Sequence, residues 1–99
     1  MTESAQSSQG TELHRSATIS NRRGLHARAA AKFVKLAATF DAHVQVSHRG
    51  TEVSGLSIMG LMMLAAAPGC SIDLKTWGRQ AEEALEALYD LVDRKFDED

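Results

Sequence analysis

The sequence predicts an α+β domain in the order βαββαβα, with four strands in one antiparallel sheet and three helices covering a single face of it. Three observations carry this expectation. Short apolar–polar alternations recur along the chain, apolar-periodic helical stretches follow the first, third and fourth of them, and 99 residues suffice for one modest core but not two. A sheet with one buried and one wet face reads as alternation, and its apolar side must be covered.

The elements follow in order. From His14 to Ser20, Ala17 and Ile19 alternate with Ser16, Thr18 and Ser20, as a half-buried strand requires. After Asn21-Arg22-Arg23-Gly24, the stretch from Ala27 to about Ala38 places Ala30, Phe33, Val34 and Ala37 on one helical stripe and Lys32 and Lys35 off it. His43 to His48 alternates through Val44 and Val46, and Arg49-Gly50 offers a two-residue turn into Thr51 to Val53. Ser57 stands as N-cap before a short apolar helix, Ile58 to Leu64, which Pro68-Gly69 stops. Ser71 to Trp77 alternates through Ile72 and Leu74. From Arg79 a helix begins with Ala81, Ala84, Leu85, Leu88 and Val92 on one face, its acids early and Arg94 and Lys95 late, as the helix dipole favours.

Composition narrows the function classes. Hydrophobic residues at 43% and charged residues at 24% describe a soluble globular chain. The single Cys70 excludes an internal disulfide and falls short of a zinc site, so it reads as a small buried apolar residue. No apolar run reaches membrane-spanning length, and Met1 to Glu12 lacks the apolar centre of a signal peptide, so no membrane role is expected and the cytoplasm is the expected location. Residues 1–12 read as a disordered N-terminal tail, 13–96 as the domain and 97–99 as an acidic C-terminal end. The net charge is −2, but Leu13 to Phe40 holds six bases and no acid, while Glu82 to Asp99 holds eight acids and two bases. The basic stretch is either a solvated face or a surface for a phosphate or an acidic partner.

The segment Gly24-Leu25-His26-Ala27-Arg28-Ala29-Ala30 resembles the phosphohistidine motif of the HPr family, usually G-[LI]-H-x-R-P-A. Ser57-Ile58-Met59-Gly60-Leu61-Met62 resembles that family's regulatory-serine segment, and the element order is similar to its open-faced β-sandwich. The resemblance spans about 13–96. The Asn-Arg-Arg approach to the glycine and the alanine-rich helix are similar to the nitrogen-related (NPr) branch. The resemblance implies a phosphocarrier of the phosphoenolpyruvate-dependent phosphotransferase system that takes a phosphoryl group on His26 from enzyme I and passes it to an EIIA-type domain. It also implies that Gly24, Lys35, Ile58, Met59 and Met62 meet the partner, and that an HPr kinase/phosphorylase acts on Ser57. Such a carrier needs no cofactor or metal and is expected to be a monomer that binds no nucleic acid. The departure is Ala29 in the family's proline position, which gives up a fixed φ and regains a first-turn N–H.

The residues support that chemistry independently. A histidine just before a helix sits beside unpaired first-turn N–H groups, a ready site for phosphate, and neutral imidazole is a nitrogen nucleophile. Arg28 can pair with phosphoryl oxygens through its planar guanidinium, more directionally than a lysine. Gly24 allows a sharp turn and close approach. Helical spacing cannot bury all of Ile58, Met59, Leu61, Met62, Met63 and Leu64, and exposed methionines suit a surface meeting several partners. The rival class is a small nucleic-acid-binding module using the basic face. It requires stacking aromatics on strands, where only Trp77 is available.

Overall fold

The strands run β1 (Leu13–Thr18), β2 (His43–His48), β3 (Thr51–Ser54) and β4 (Ser71–Trp77), and the helices α1 (Ala27–Ala37), α2 (Ile58–Met63) and α3 (Ala81–Asp93). A single 3₁₀ turn, Lys95–Asp97, follows α3. This computed structural model describes residues 12–98, so the expected tail, apart from Glu12, and the terminal Asp99 lie outside the described residues. The sheet order is β1-β4-β2-β3, and every pairing is antiparallel. The expected α+β class, with four strands and three helices, is the one observed.

Alternation decides which face is covered. Ala17, Val44, Val46, Ile72, Leu74 and Thr76 point inward and are buried, whereas His14, Ser16, Gln45, Ser47, Asp73 and Lys75 form the open face. Onto the inner face α1 lays Ala29, Ala30, Phe33 and Ala37, and α3 lays Ala84, Leu85, Leu88, Leu91 and Val92. Leu61 and Leu64 close the same core from α2 and its end. Burying side chains of this size stabilises the fold by about 1.5–3 kcal/mol each. The buried Thr76 hydroxyl donates to the Ala81 carbonyl at 2.8 Å, so it carries no unpaired polar cost. In the β2–β3 hairpin Arg49 (φ 52°) and Gly50 (φ 84°) are both left-handed, as a twisted two-residue turn demands.

The structure departs from the expected boundaries in three places. β1 ends at Thr18, but Ile19 remains buried and its N–H donates to the Cys70 carbonyl at 2.8 Å, so the strand gives way to an irregular continuation. α3 starts at Ala81, not Arg79: the Gln80 side chain accepts the Asp41 N–H at 2.7 Å, and its N–H donates to the Asp41 carbonyl at 2.8 Å. These bonds hold Gln80 outside the helix. α3 also ends at Asp93, with Arg94 as its cap and Lys95 already left-handed, so neither base sits in the last helical turn. Cys70 is only partly buried, at the margin of the core. Among the described residues no helix is long and apolar enough to cross a membrane.

Candidate functional site

The site is built on the segment between β1 and α1. Asn21 is fully buried, and its Nδ2 donates to the Gly24 carbonyl at 2.8 Å while its own carbonyl accepts the Gly24 N–H at 3.2 Å. Gly24 is left-handed (φ +66°), and a Cβ there would lie 2.6 Å from the Ala66 carbonyl oxygen. That same oxygen accepts the Leu25 N–H at 3.0 Å, so the chain leaving α2 pins the approach to α1. Gly24, expected to let a partner approach, is therefore buried against this protein's own Ala66–Pro68 segment.

His26 follows as the N-cap of α1, with extended backbone (φ −84°, ψ −178°). Its N–H donates to the Gly24 carbonyl at 2.9 Å, and its carbonyl accepts the Ala30 N–H at 2.8 Å. The ring makes no bond to the helix, so the Ala27, Arg28 and Ala29 N–H groups have no intrahelical partner and the positive end of α1 stays open. α1 forms without the family's proline, and Ala29 is fully buried in the core. Arg28 is exposed beside it.

The His26 ring has a partner that sequence reading missed. Its Nε2 lies 2.7 Å from Glu98 Oε2, within hydrogen-bond distance, and Glu98 Oε1 accepts from Asn21 Nδ2 at 3.1 Å. Burial raises the Glu98 pKa, but the bonds from His26 and Asn21 and the fields of His26 and Lys32 outweigh it and hold the carboxyl below the usual glutamate range. Glu98 arrives through three consecutive left-handed residues, Lys95 (φ 60°), Phe96 (φ 55°) and Asp97 (φ 61°). Such conformations cost about 1–2 kcal/mol per residue. Offsetting contacts are at hand: Phe96 is fully buried, Lys32 Nζ donates to its carbonyl at 2.8 Å, and Arg94 Nε donates to Asp97 Oδ1 at 2.8 Å. The acidic end, set apart from the domain in the sequence reading, thus supplies a carboxylate to the site. Arg23, Arg28, Lys32, Asp97 and Glu98 line one open depression.

The remaining candidates lie on two helices. Lys35 is exposed in the last turn of α1. Ser57 caps α2, its Oγ accepting the Gly60 N–H at 2.9 Å. Ile58, Met59 and Met62 are exposed, and so are Leu56 and Met63, which extend the apolar surface beyond the three residues expected. α2 packs against α1, placing this surface next to the helix that His26 caps. Asn21 stood in the quoted approach to the glycine, but its link to Glu98 spans 77 positions, and no local pattern could reveal it. Among the described residues no group of three or more His, Cys, Asp or Glu side chains is arranged to hold a metal ion. Trp77, the one strand aromatic, is stacked on His43 at 5.1 Å between ring centroids.

The family described as PTS HPr component phosphorylation site matches residues 13–94. The phosphocarrier protein HPr of Cupriavidus necator is 46% identical over 86 residues, covering 87% of this chain and 97% of the relative. The phosphocarrier protein NPr of Shewanella violacea is 46% identical over 88 residues, covering 89% of this chain and 97% of the relative. The crystal structure of a phosphocarrier protein HPr from Bacillus anthracis superposes with a TM-score of 0.78 at 41% identity, covering 82% of this chain and 96% of that one. This agreement in sequence and architecture replaces the nucleic-acid-binding alternative: the chain belongs to the HPr family of phosphocarrier proteins of the phosphotransferase system.

Proposed function

We propose that His26 is the phosphoryl acceptor of this carrier, that the group arrives from enzyme I, and that it leaves for an EIIA-type domain. The observation that carries the reading is the position of the His26 ring, at the open N-terminus of α1 with Arg28 exposed beside it. Unpaired N–H groups, the helix dipole and a guanidinium are the donors a transferred phosphoryl group requires. The protein forms a phosphohistidine intermediate and turns over no substrate of its own, so specificity lies in docking. Lys35, Ile58, Met59 and Met62 contribute to that docking, and an HPr kinase/phosphorylase modifies Ser57. The carrier works as a cytoplasmic monomer.

Incubation of His26→Ala with phosphoenolpyruvate and enzyme I tests the acceptor. No acid-labile phosphate is expected by mass spectrometry, with a melting curve close to wild type because the ring is partly exposed and little packing is lost. Phosphate retained on the variant would remove His26 from its role. Arg28→Ala should keep the site but slow transfer by about a hundredfold, the loss typical of one preorganised donor, with Arg28→Lys recovering only part of the rate. Wild-type rates in Arg28→Ala would refute that assignment.

A further inference from the structure

Glu98 does more than end the chain's last turn. Its two carboxylate oxygens are divided between Asn21 and the candidate nucleophile itself, Oε1 taking Asn21 Nδ2 and Oε2 facing His26 Nε2. Asn21 fixes this arrangement from within the core. Both of its neighbours, the Gly24 carbonyl and Glu98 Oε1, are acceptors, so the amide must present its NH₂ to them, and its buried Oδ1 is left without a partner. An ionised carboxylate only accepts, so the His26 nitrogen facing it must carry the proton. With the proton on Nε2, the lone pair of the neutral ring resides on Nδ1, which makes no bond to the first turn of α1.

We propose that Glu98 is a positioning residue for phosphoryl transfer: through the Nε2–H bond it fixes the ring orientation and tautomer of His26 and leaves Nδ1 as the attacking atom. This rests on His26 being the acceptor. In the step itself the Nδ1 lone pair forms the N–P bond, and the bond from phosphorus to the donor protein's leaving atom breaks with its electron pair staying on the donor. No proton has to leave Nδ1, because the ring proton is held on Nε2 by Glu98 throughout. The carboxylate also faces the positive charge the ring gains as the N–P bond forms, in the manner of an orienting acid behind a catalytic histidine. The left-handed turn is what brings Glu98 within reach, and Phe96 and Lys32 hold that turn.

The test uses the full chain, ¹⁵N-labelled, as wild type, Glu98→Ala, Glu98→Gln and His26→Ala. Long-range ¹H–¹⁵N spectra of the neutral His26 ring report the tautomer, and single-turnover phosphorylation by enzyme I reports the rate. Wild type is expected to show the Nε2–H form alone. Glu98→Ala should show a mixture that includes Nδ1–H and a transfer rate about tenfold lower, while its melting temperature stays near wild type. Glu98→Gln, which keeps a carbonyl acceptor, should recover the Nε2–H signal and part of the rate. A wild-type tautomer and rate in Glu98→Ala overturns the positioning role alone, and so does faster transfer, which would make the tail an inhibitory latch. Phosphate retained on His26→Ala overturns the acceptor and its positioning residue together.

Discussion

Gly24 shows how one residue's role changes once its neighbours are known. The motif explains a glycine before the histidine by a sharp turn and room for a partner. The turn is there, but the crowding comes from this chain's own Ala66 carbonyl, which a Cβ would meet at 2.6 Å. Gly24→Ala should therefore destabilise the protein by more than about 2 kcal/mol, since left-handed backbone alone costs an alanine about 1–2 kcal/mol and the clash adds to it. Because the Gly24 carbonyl accepts both the His26 N–H and the Asn21 amide, the same change should also slow phosphoryl transfer by displacing the ring. Urea denaturation and a transfer assay check both effects, and an unchanged midpoint would mean the Ala66–Pro68 segment yields freely. At this scale the sequence singles out His26, Arg28 and Ser57 as candidates, because each sits in a short motif with a local reason to be there. It does not single out Asn21 and Glu98, because their contact exists only across the fold.

Elements were legible where periodicity alone sets them. The stripes of α1 and α3, the β2–β3 turn and the Ser57 cap follow from spacing and turn chemistry, and each lies within a residue or two of its expected place. The turn after α3 had no such signal. Three non-glycine residues in left-handed conformation contradict local preference, and Phe96 reaching the core, with the Lys32 and Arg94 bonds, offsets their cost. That turn should be the pH-sensitive element of the fold. Facing it are His26, Arg23, Arg28 and Lys32, with Arg94 pairing to Asp97. The Arg94 bond lowers the Asp97 pKa, and the Glu98 pKa is lowered too, so both contributions are complete above the ordinary carboxylate range and fade as pH falls through and below it. The Asp97 contribution is exposed and screened by salt. Between pH 6 and pH 3 the Asp97 and Glu98 amides, which donate to the Arg94 and Lys95 carbonyls, should lose hydrogen-exchange protection before the β4 amides do. Glu98→Gln should show much less of this change. Simultaneous loss at β4 and at Asp97 and Glu98 would mean the turn does not open on its own.

Across the whole molecule, the acidic end folds back onto the basic segment. Asp97 and Glu98 share one depression with Arg23, Arg28 and Lys32, so the charge polarity read from the sequence is partly neutralised within the chain. Arg22, Arg23 and Arg28 remain exposed, and the apolar surface of Leu56, Ile58, Met59, Met62 and Met63 lies on and beside α2, which packs against α1. A partner that reaches His26 must therefore offer acidic groups to the arginines and an apolar surface to the methionines. Ser57 sits at the start of that helix, and a phosphate there adds about −1.5 to −2 charges at neutral pH. Charge at a helix N-terminus is favoured by about 0.3–1 kcal/mol, so the cap should hold and the melting temperature should barely move. Docking is another matter, because an approaching acidic surface is repelled and the methionines can no longer be desolvated cheaply beside a charged group. Ser57→Asp and enzymatically phosphorylated protein should thus transfer more slowly at low carrier concentration and approach the wild-type maximum at saturation. The defect should shrink as salt screens the repulsion. The concentration dependence of transfer at two ionic strengths, with melting curves alongside, separates the alternatives. A large fall in melting temperature with unchanged half-saturation would show that Ser57 only caps α2 and does not govern docking.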